Sequence, residues 1–194
     1  MGQPLTRKEE TRRRIVESAV RLFMEKGVDG VGVDEIMRDA GLTHGGFYVH
    51  FPSKEALVTE ACECALDNAS AKWKGIAAKL ADPDLFHDFI NDKLSGSADG
   101  PACPMALLGP DVSRRSDSVQ GAYVAKLKGI IDLITRELGS DRDHAILTLA
   151  ALVGATSLSA QAGADKALAT EILETTRQEL LKCRPNRKKL KAVS

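Results

Sequence analysis

The sequence predicts an all-α protein of about nine helices, with an N-terminal three-helix domain of helix-turn-helix type followed by a helical bundle. Three observations predict this class. Apolar residues repeat at helical spacing in one segment after another. Residues known to begin or end helices stand at the ends of those segments. Between residues 32 and 51, two short helical patterns flank a tight turn.

The first helix is predicted over residues 8–26. Its apolar residues fall on a single stripe of Ile15, Val16, Ala19, Leu22 and Phe23, which we expect to form core. Gly27 is expected to end the helix, and the pair 29–30, Asp-Gly, to turn the chain into the next element.

The helix-turn-helix is predicted over residues 32–51, GVDEIMRDAGLTHGGFYVHF. Its first helix should end at Gly41 in a left-handed conformation. Thr43 should cap the second helix by accepting from a backbone amide one turn on. Gly45 and Gly46 cost that helix about 2 kcal/mol of propensity relative to alanine. Such a pair suits a helix whose N-terminal backbone must approach another polymer closely, as in the major groove of DNA.

The run LTHGGFYVHFPSKEALV, preceded by VDEIMRDAG, resembles the DNA-binding domain of the TetR/AcrR transcriptional regulators over roughly residues 10–66. The pairs Phe47-Tyr48 and His50-Phe51 and the helix start at 53–57 carry the resemblance. Gly32 departs from it, since a Thr or Ser usually caps the helix there, and Val49 occupies a variable position. The resemblance implies a cytoplasmic, nucleoid-associated, ligand-responsive dimer that regulates transcription, more often as a repressor.

Each candidate for DNA contact has a chemical reason. Thr43 and His44 can donate to base edges or phosphates, and the Val49 methyls can meet a thymine methyl. Tyr48 and His50 are expected on phosphates, as the matching positions are in the family, although His50 packed against the fourth helix is the alternative. The predicted DNA-binding residues are Arg13, Gly32, Val33, Thr43, His44, Gly45, Gly46, Tyr48, Val49, His50 and Lys54.

The net charge of the chain does not by itself indicate a nucleic-acid partner. The chain has a formal charge of zero, and residues 1–58 hold nine Lys and Arg against nine Asp and Glu. Attraction to phosphate must therefore come from local placement, and the basic residues of the stretch 7–14 are the candidates. A solvated helix start is the alternative for that stretch. The balance also keeps open another class of protein, a helical small-molecule-binding or interaction protein whose helix-turn-helix does not bind DNA.

The domains are predicted at residues 1–52 for DNA binding and 53–183 for ligand binding and dimerisation, with a basic, disordered tail at 184–194. Ser53 should cap a long fourth helix to about residue 80 that bridges both domains, with Leu57, Ala61, Trp73, Ile76 and Leu80 inward. Three later helices are expected at about 83–95, 104–114 and 116–138. The first of these should place its apolar residues together, namely Leu85, Phe86, Phe89, Ile90 and Leu94. The third should bury a stripe of Val119, Tyr123, Leu127, Ile130, Ile134 and Leu138.

The second domain resembles the family in architecture, which implies a bundle interior that admits a small molecule. The sparse charge of its apolar segments favours an apolar or aromatic effector, with Tyr123, His87 or Gln161 fixing a polar group. Plain core is the alternative for each wall residue. Cys103, at a predicted helix start, is also the candidate for an electrophile or redox sensor, with an inert thiol as the alternative. The candidate ligand-binding residues are Phe86, Phe89, Cys103, Met105, Leu108, Tyr123, Leu127 and Leu149.

Residues 144–164 contain no Asp, Glu, Lys or Arg. About twenty apolar residues suffice to span a membrane, but this run is rich in alanine, serine and threonine, and no membrane partner is expected. A helix without a charged face must be covered on nearly all sides. A ninth helix from 165, with Leu168, Ile172, Thr176 and Leu180 on one stripe, could join it and their two copies in a four-helix dimer interface.

No enzyme, cofactor or metal site is expected. The motifs of serine hydrolases, phosphate loops and zinc proteases are absent. His44 and His50 are six residues apart with no further ligand at metal spacing. Cys62 and Cys64 should point to different faces of a helix, and reduced thiols are expected. The N-terminus has no signal-peptide core, which favours the cytoplasm.

Overall fold

The computed structural model describes residues 6–77, 85–94, 103–137 and 141–182. These residues form nine α-helices and one short 3-10 turn, so the predicted all-α class is confirmed. The helices are α1 Arg7–Lys26, α2 Val33–Asp39, α3 Phe47–His50, α4 Lys54–Ala77, α5 Leu85–Leu94, α6 Pro104–Val112, α7 Asp117–Glu137, α8 Arg142–Gln161 and α9 Lys166–Lys182, with the 3-10 turn His44–Gly46 directly before α3.

The chain divides into two compact units. The N-terminal unit is Met1–Asn68 together with Leu107–Lys126, and the C-terminal unit is Ala69–Ala106 together with Leu127–Ser194. Helices α4, α6 and α7 each begin in one unit and continue into the other. The predicted domain boundary at residue 52 stays a prediction, because these units are built from discontinuous segments.

Helix α1 forms the packing surface of the N-terminal unit. Thr6 caps it in a capping box, since the Glu9 amide donates to Thr6 Oγ1 and the Thr6 amide donates to Glu9 Oε2. Gly27 ends the helix at a φ of 74°. The predicted end and the predicted buried stripe are both confirmed, with buried Ile15, Val16, Ala19, Leu22 and Phe23.

The helix-turn-helix has the predicted turn but a different second helix. Gly41 ends the first helix region at a φ of 68°, as predicted. The second helix consists of the 3-10 turn and the four residues of α3. Thr43 holds the N-cap position, but the prediction that its side chain caps the helix is wrong, because no capping bond forms and the Thr43 carbonyl accepts the Gly46 amide instead. Phe47 and Phe51, stacked with centroids 5.7 Å apart, are fully buried as predicted.

Two arginines of α1 bind the carbonyl ends of the two short helices. Arg14 Nη2 donates to the carbonyl of Ala40, the C-cap of α2, at 2.6 Å. Arg12 Nη1 donates to the carbonyl of His50, the last residue of α3, and its Nε donates to Glu60 of α4 at 3.0 Å. The Arg12 guanidinium also lies 4.0 Å from the centroid of the Phe51 ring. A cation at a helix C-terminus donates to carbonyls that have no partner within the helix, and it interacts favourably with the negative end of the helix dipole.

A second polar cluster joins the corner between α6 and α7 to the turn before α2. The Val28 amide donates to Asp111 Oδ2 at 2.7 Å, and the Lys54 ammonium donates to the Val28 carbonyl at 2.7 Å. Arg115 pairs with Asp29 and donates to Glu55 Oε1 at 3.1 Å, with only 15% of its side chain exposed. We call Asp29, Glu55, Asp111 and Arg115 the corner cluster.

The start of α4 agrees with the sequence prediction. The Ala56 amide donates to Ser53 Oγ at 3.1 Å, which confirms Ser53 as its cap. Leu57 and Ala61 are buried as expected. Cys62 is buried and Cys64 half-buried, and both are free thiols. The predicted inward side chains of Trp73, Ile76 and Leu80 lie outside what the structure describes.

The C-terminal unit contains α5, α8 and α9, together with the end of α4, the start of α6 and the second part of α7. Phe89, Ile90 and Leu94 of α5 are buried, as predicted, whereas the side chains of Leu85 and Phe86 lie outside the described part. Asp141 caps α8 by accepting the His144 amide at 2.8 Å. Arg177 of α9 donates to Asn91 of α5 at 3.0 Å.

The predicted stripes of α7 and α9 are only partly right. In α7, Val119, Ile130 and Ile134 are buried, Tyr123 and Leu127 are half-buried, and Leu138 lies outside the described residues. In α9 the buried residues are Ala169, Leu173 and Leu180. Leu168 is exposed and Ile172 half-buried, because the face of α9 that packs within the chain is rotated by one position toward Ala169 and Leu173. The place of the predicted stripe in a dimer interface stays a prediction.

Helix α8 leaves apolar side chains uncovered in the single chain. Ile146, Leu147 and Leu158 are exposed, while Ala145, Leu149 and Leu152 are buried. Among the described residues, it is the one helix long and apolar enough to cross a membrane by length and composition. Core helices of other proteins pass the same test, so the finding alone does not indicate a membrane. Coverage of α8 on nearly all sides, which the sequence predicts, therefore requires a further surface.

The corner cluster predicts an acid-sensitive stability. The hydrogen bond from Arg115 lowers the pKa of Asp29 below its ordinary value. A carboxylate with a lowered folded-state pKa stabilises the fold above its unfolded pKa, and this contribution disappears as the pH falls through the folded value. The contribution should therefore be lost below about pH 4.

We expect Arg115→Gln to unfold at a lower urea concentration than wild type near pH 7, and the difference to shrink as the pH falls from about 5 to 3. Urea titrations followed by circular dichroism at several pH values would measure it. The matched control is Arg38→Gln, an exposed arginine in the last turn of α2. A constant difference across the pH range would contradict the assigned role of Asp29.

Candidate nucleic-acid interface

Helix α3 has a buried side and an exposed side made of large residues. Phe47 and Phe51 are fully buried, whereas Tyr48 and Val49 are 66% and 65% exposed. Burial of the phenylalanines fixes the helix on the core, and the same helical geometry turns Tyr48 and Val49 outward. Large apolar surface at adjacent exposed positions contributes little to the fold of the single chain, and it is typical of a binding surface.

The 3-10 turn extends the exposed side of α3 toward the chain's N-terminus. Thr43, His44 and Gly45 are all exposed. His44 Nδ1 pairs with Asp34 Oδ1 from the first turn of α2. The His44 and Tyr48 rings meet edge to face, with centroids 6.3 Å apart. We call Thr43, His44, Tyr48 and Val49 the recognition face.

The backbone at the start of the recognition face is open. A Cβ built on Gly45 meets nothing within 4 Å, and one built on Gly46 meets only Met37 Cε at 3.6 Å and Thr43 Oγ1 at 3.9 Å. These glycines are therefore not required by packing within the chain. Their absence of a side chain leaves a place where another polymer can approach the main chain.

The other predicted DNA-binding residues lie in differing surroundings. Arg13 is exposed and pairs with Glu17 at 3.3 Å. Gly32 is the exposed N-cap of α2, and the neighbouring Val33 packs partly against the core. His50 is half-buried, its Nδ1 has no hydrogen-bond partner, and its carbonyl is bound by Arg12.

Lys54 has an internal partner in the N-terminal unit. Its ammonium donates to the Val28 carbonyl, and burial lowers its pKa. A contact between Lys54 and phosphate would have to compete with this bond. In the basic stretch 7–14, Arg12 and Arg14 likewise bind carbonyls of the helix-turn-helix, whereas Arg7, Lys8 and Arg13 are exposed.

Two residues important to this region have no identifying signal in the sequence. Asp34 is one of two carboxylates in the first turn of α2, and its pairing with His44 across the turn is not indicated by helical periodicity. Arg115 is 60 residues from Glu55 and 86 from Asp29, so no local pattern connects them. Only the fold brings these charges together.

The candidate ligand-binding residues fall in both units. Leu108 is buried in the core of the N-terminal unit, where Tyr123 packs against that core. Phe89 and Leu149 are buried in the C-terminal unit, where Cys103, Met105 and Leu127 are half-buried. The side chain of Phe86 lies outside the described part of the chain. The structure therefore does not gather these eight residues within one unit.

A groove of about 370 Å³ lies within the N-terminal unit, between α1 and α4. Charged side chains dominate its lining, among them Arg12, Arg13, Glu60 and Glu63, and it contains none of the candidate ligand-binding residues. Cys64 also lines it, and burial raises the pKa of that thiol. Such a lining does not suit an apolar effector. Within the described ranges, no three His, Cys, Asp or Glu side chains are grouped as a metal site.

Comparison with known proteins finds a family whose DNA-binding region is similar to the N-terminal part of this chain. Residues 15–61, which contain α1, the helix-turn-helix and the start of α4, match the model of the bacterial regulatory proteins of the tetR family. Over these residues the chain is similar to the TetR/AcrR regulators, which agrees with the resemblance drawn from the residues.

Individual TetR/AcrR relatives are similar mainly over this N-terminal region. The HTH-type transcriptional regulator YerO of Bacillus subtilis is 40% identical over 72 residues, 37% of this chain and 25% of YerO. The negative regulator IcaR of the biofilm operon icaADBC in Staphylococcus aureus is 33% identical over 54 residues, 28% of this chain and 29% of IcaR. The matches thus span about a quarter of these curated relatives.

A solved structure extends the likeness to the fold of most of the chain. The crystal structure of E. coli NemR in its reduced form has a TM-score of 0.75 at 21% identity, covering 88% of this chain and 95% of NemR. At this identity the comparison shows that the fold is shared, and the likeness extends to the helices after α4.

Two glycines of the helix-turn-helix should respond differently to alanine. Gly41→Ala places a Cβ at a φ of 68° and 3.2 Å from Arg14 Nη2, so we expect a loss of about 1 kcal/mol in stability. Gly45→Ala enters open space, and we expect a change within about 0.5 kcal/mol. Thermal unfolding of both variants beside wild type measures this, and an equally large loss in Gly45→Ala would contradict the open backbone.

Proposed function

We propose that the protein is a homodimeric transcriptional regulator that binds operator DNA through the recognition face and acts as a ligand-responsive repressor. The observation that carries the proposal is the exposure of Thr43, His44, Tyr48 and Val49 on a helix whose opposite side is buried. The similarity of residues 15–61 to the bacterial regulatory proteins of the tetR family supports DNA as the partner.

The chemistry of the recognition face suits the major groove. The Tyr48 hydroxyl and the Thr43 hydroxyl can donate to phosphate oxygens, which fix the position of a protein on DNA. The Val49 methyls can contact the thymine C5-methyl, and His44 can reach a base edge. The open backbone at Gly45 allows this end of the element to lie close to the DNA.

The charge distribution predicts a moderate electrostatic contribution to this binding. Arg7, Lys8 and Arg13 are exposed and available to phosphates, whereas Arg12 and Arg14 are engaged within the domain. Each phosphate neutralised contributes about 0.9 to the slope of log affinity against log salt. A small set of such contacts per subunit should give clear but limited salt dependence.

Dimerisation is proposed through α8 and α9. Ile146, Leu147 and Leu158 of α8 and Leu168 of α9 are exposed in the single chain. A second copy placing the same helices against them would cover all four in a self-complementary interface. Two recognition faces would then meet successive major grooves, with half-site centres about 34 Å or more apart.

Effector response is proposed through the helices that continue from one unit into the other. An apolar or aromatic molecule bound in the C-terminal unit, near Phe89, Met105, Leu127 or Leu149, would bias the positions of α4, α6 and α7. Within the N-terminal unit, the corner cluster connects the α6–α7 corner to the turn before α2. A population shift at that corner would change the spacing of the recognition faces. An effector that binds but leaves operator affinity unchanged would remove this part of the proposal.

Repression rather than activation is proposed from the relatives. IcaR is described as a negative transcriptional regulator, and its match covers the helix-turn-helix region. A dimer on an operator that overlaps a promoter would exclude polymerase without any further surface. A reporter gene carrying the operator should therefore show lower expression when the protein is present.

The deciding experiment is binding to DNA that spans the upstream region of the protein's own gene, at two salt concentrations with competitor DNA. A tight, salt-sensitive complex that survives competition supports the proposal and yields the operator. Weak binding equal to that on unrelated DNA leads to a selection from random sequences. Failure of that selection would favour the alternative class, a helical binding protein whose helix-turn-helix does not bind DNA.

The Tyr48 hydroxyl is expected to contribute to affinity. Tyr48→Phe keeps the ring and removes one hydrogen-bonding group from each subunit, so we expect about a fivefold loss of operator affinity per subunit with an unchanged salt slope. Arg13→Gln is the matched comparison, since loss of one charge from each subunit should lower the slope by about one per subunit, or about two for the dimer. Fluorescence anisotropy across a salt series measures both. Wild-type affinity in Tyr48→Phe would remove its hydroxyl from the interface.

The dimer interface is tested with a pair of glycines. A Cβ at Gly154 of α8 or at Gly129 of α7 meets nothing within 4 Å in the single chain. We expect Gly154→Leu to shift sedimentation toward the monomer by blocking close approach, and Gly129→Leu to remain dimeric. Both substitutions raise helix propensity by a similar amount, so propensity cannot explain a difference. An unchanged dimer in Gly154→Leu would place the interface elsewhere.

A further inference from the structure

The pairing of His44 with Asp34 decides which atom of the imidazole faces outward. Asp34 lies in the first turn of α2 and His44 begins the 3-10 turn, so the pair joins the two halves of the helix-turn-helix. The contact is made by Nδ1 of the ring. The His44 side chain is nevertheless 55% exposed, on the recognition face.

The carboxylate restricts the tautomer of the ring. An ionised carboxylate only accepts hydrogen bonds, so the Nδ1 atom beside it must carry the proton. A neutral imidazole with a proton on Nδ1 presents Nε2 as an acceptor. Tyr48, the other ring in contact with His44, meets it edge to face and packs beside it. In the neutral ring, the outward polar atom of His44, Nε2, is therefore a hydrogen-bond acceptor.

An acceptor selects among bases in the major groove. Guanine offers only acceptors there, at N7 and O6, and thymine offers an acceptor at O4 and a methyl group. Adenine and cytosine each offer an amino donor, N6 and N4 respectively.

We propose that Asp34 is a positioning residue that makes His44 a reader of amino groups, so that the operator carries adenine or cytosine at the base His44 contacts. This inference rests on the proposed DNA-binding function and adds the class of base to it. Asp34 itself need not touch DNA. Its carboxylate would disfavour nearby phosphates, which makes a direct phosphate contact at this point unfavourable.

The chain offers a matched control for Asp34. Glu35 is the neighbouring carboxylate in the first turn of α2, and it accepts from Lys26 Nζ at 2.7 Å rather than from His44. Asp34→Asn and Glu35→Gln remove the same charge from the same helix turn. Asparagine can either donate to or accept from Nδ1, so only Asp34→Asn relaxes the tautomer.

The first arm of the test reads the tautomer without DNA. The full-length protein labelled with nitrogen-15 histidine contains four histidines, and His44 is assigned from the signal that disappears in His44→Ala. At about pH 8, above the range in which histidines ordinarily titrate, wild type and Glu35→Gln should show the Nδ1–H tautomer and Asp34→Asn a mixture. An Nε2–H tautomer in wild type overturns the proposal.

The second arm reads the base in a selection from random DNA. Wild type and Glu35→Gln should enrich adenine or cytosine at one position in each half-site, by about fivefold over guanine or thymine, as a single hydrogen bond allows. Asp34→Asn should weaken this preference, and His44→Ala should abolish it while other positions stay enriched. Enrichment of guanine there, or a preference unchanged in His44→Ala, overturns the proposal. If no sequence is enriched at all, the proposed DNA-binding function fails, and the proposed recognition of adenine or cytosine by His44 fails with it. The first arm still reports the tautomer of His44 in that case.

Discussion

The bonds from two α1 arginines to the ends of two short helices are the constraint on which the N-terminal unit depends. Helix α3 has four residues, too few to be stable alone, and its 3-10 start contains two glycines. The position of α3 is therefore fixed by contacts with the rest of the unit: Phe47 and Phe51 are buried in the core, and Arg12 donates to the His50 carbonyl. Arg14 does the same for α2 at Ala40. Because both arginines stand on one rigid helix, the two short helices keep a fixed relation to each other.

The corner cluster extends this frame to the segment that follows α6. Val28 is bonded through its amide to Asp111 and through its carbonyl to Lys54, so the turn before α2 is held from two directions. Arg115 adds pairs to Asp29 and Glu55. A single ion pair with an exposed partner contributes little to stability. Several such bonds to one turn hold its backbone in place more strongly than each bond would alone. The N-terminal unit consequently includes part of α6 and α7, beyond the helices of the helix-turn-helix itself.

Features that depend on local pattern were predictable from the sequence. The stripe of α1, the left-handed glycines at 27 and 41 and the buried Phe47 and Phe51 follow from periodicity and from backbone sterics. Features that depend on distant partners were not. Thr43 has the residue type of a cap, yet the 3-10 turn gives its carbonyl the bond expected of its side chain. The stripe of α9 could not show which of two adjacent faces would be packed, and the apolar character of α8 could not show that half its large residues stay exposed in one chain. The pairing of Asp34 with His44 depends on how the turn folds, which no spacing rule contains.

The open space around Gly45 has a consequence for how the binding specificity of such a protein can change during evolution. A surface that touches nothing in its own molecule is free of the constraints that preserve the core. If the proposed DNA binding holds, new side chains at that position would contact the nucleic acid without contacting the protein's interior. Single substitutions there could then change which DNA sequence is bound while the fold is preserved.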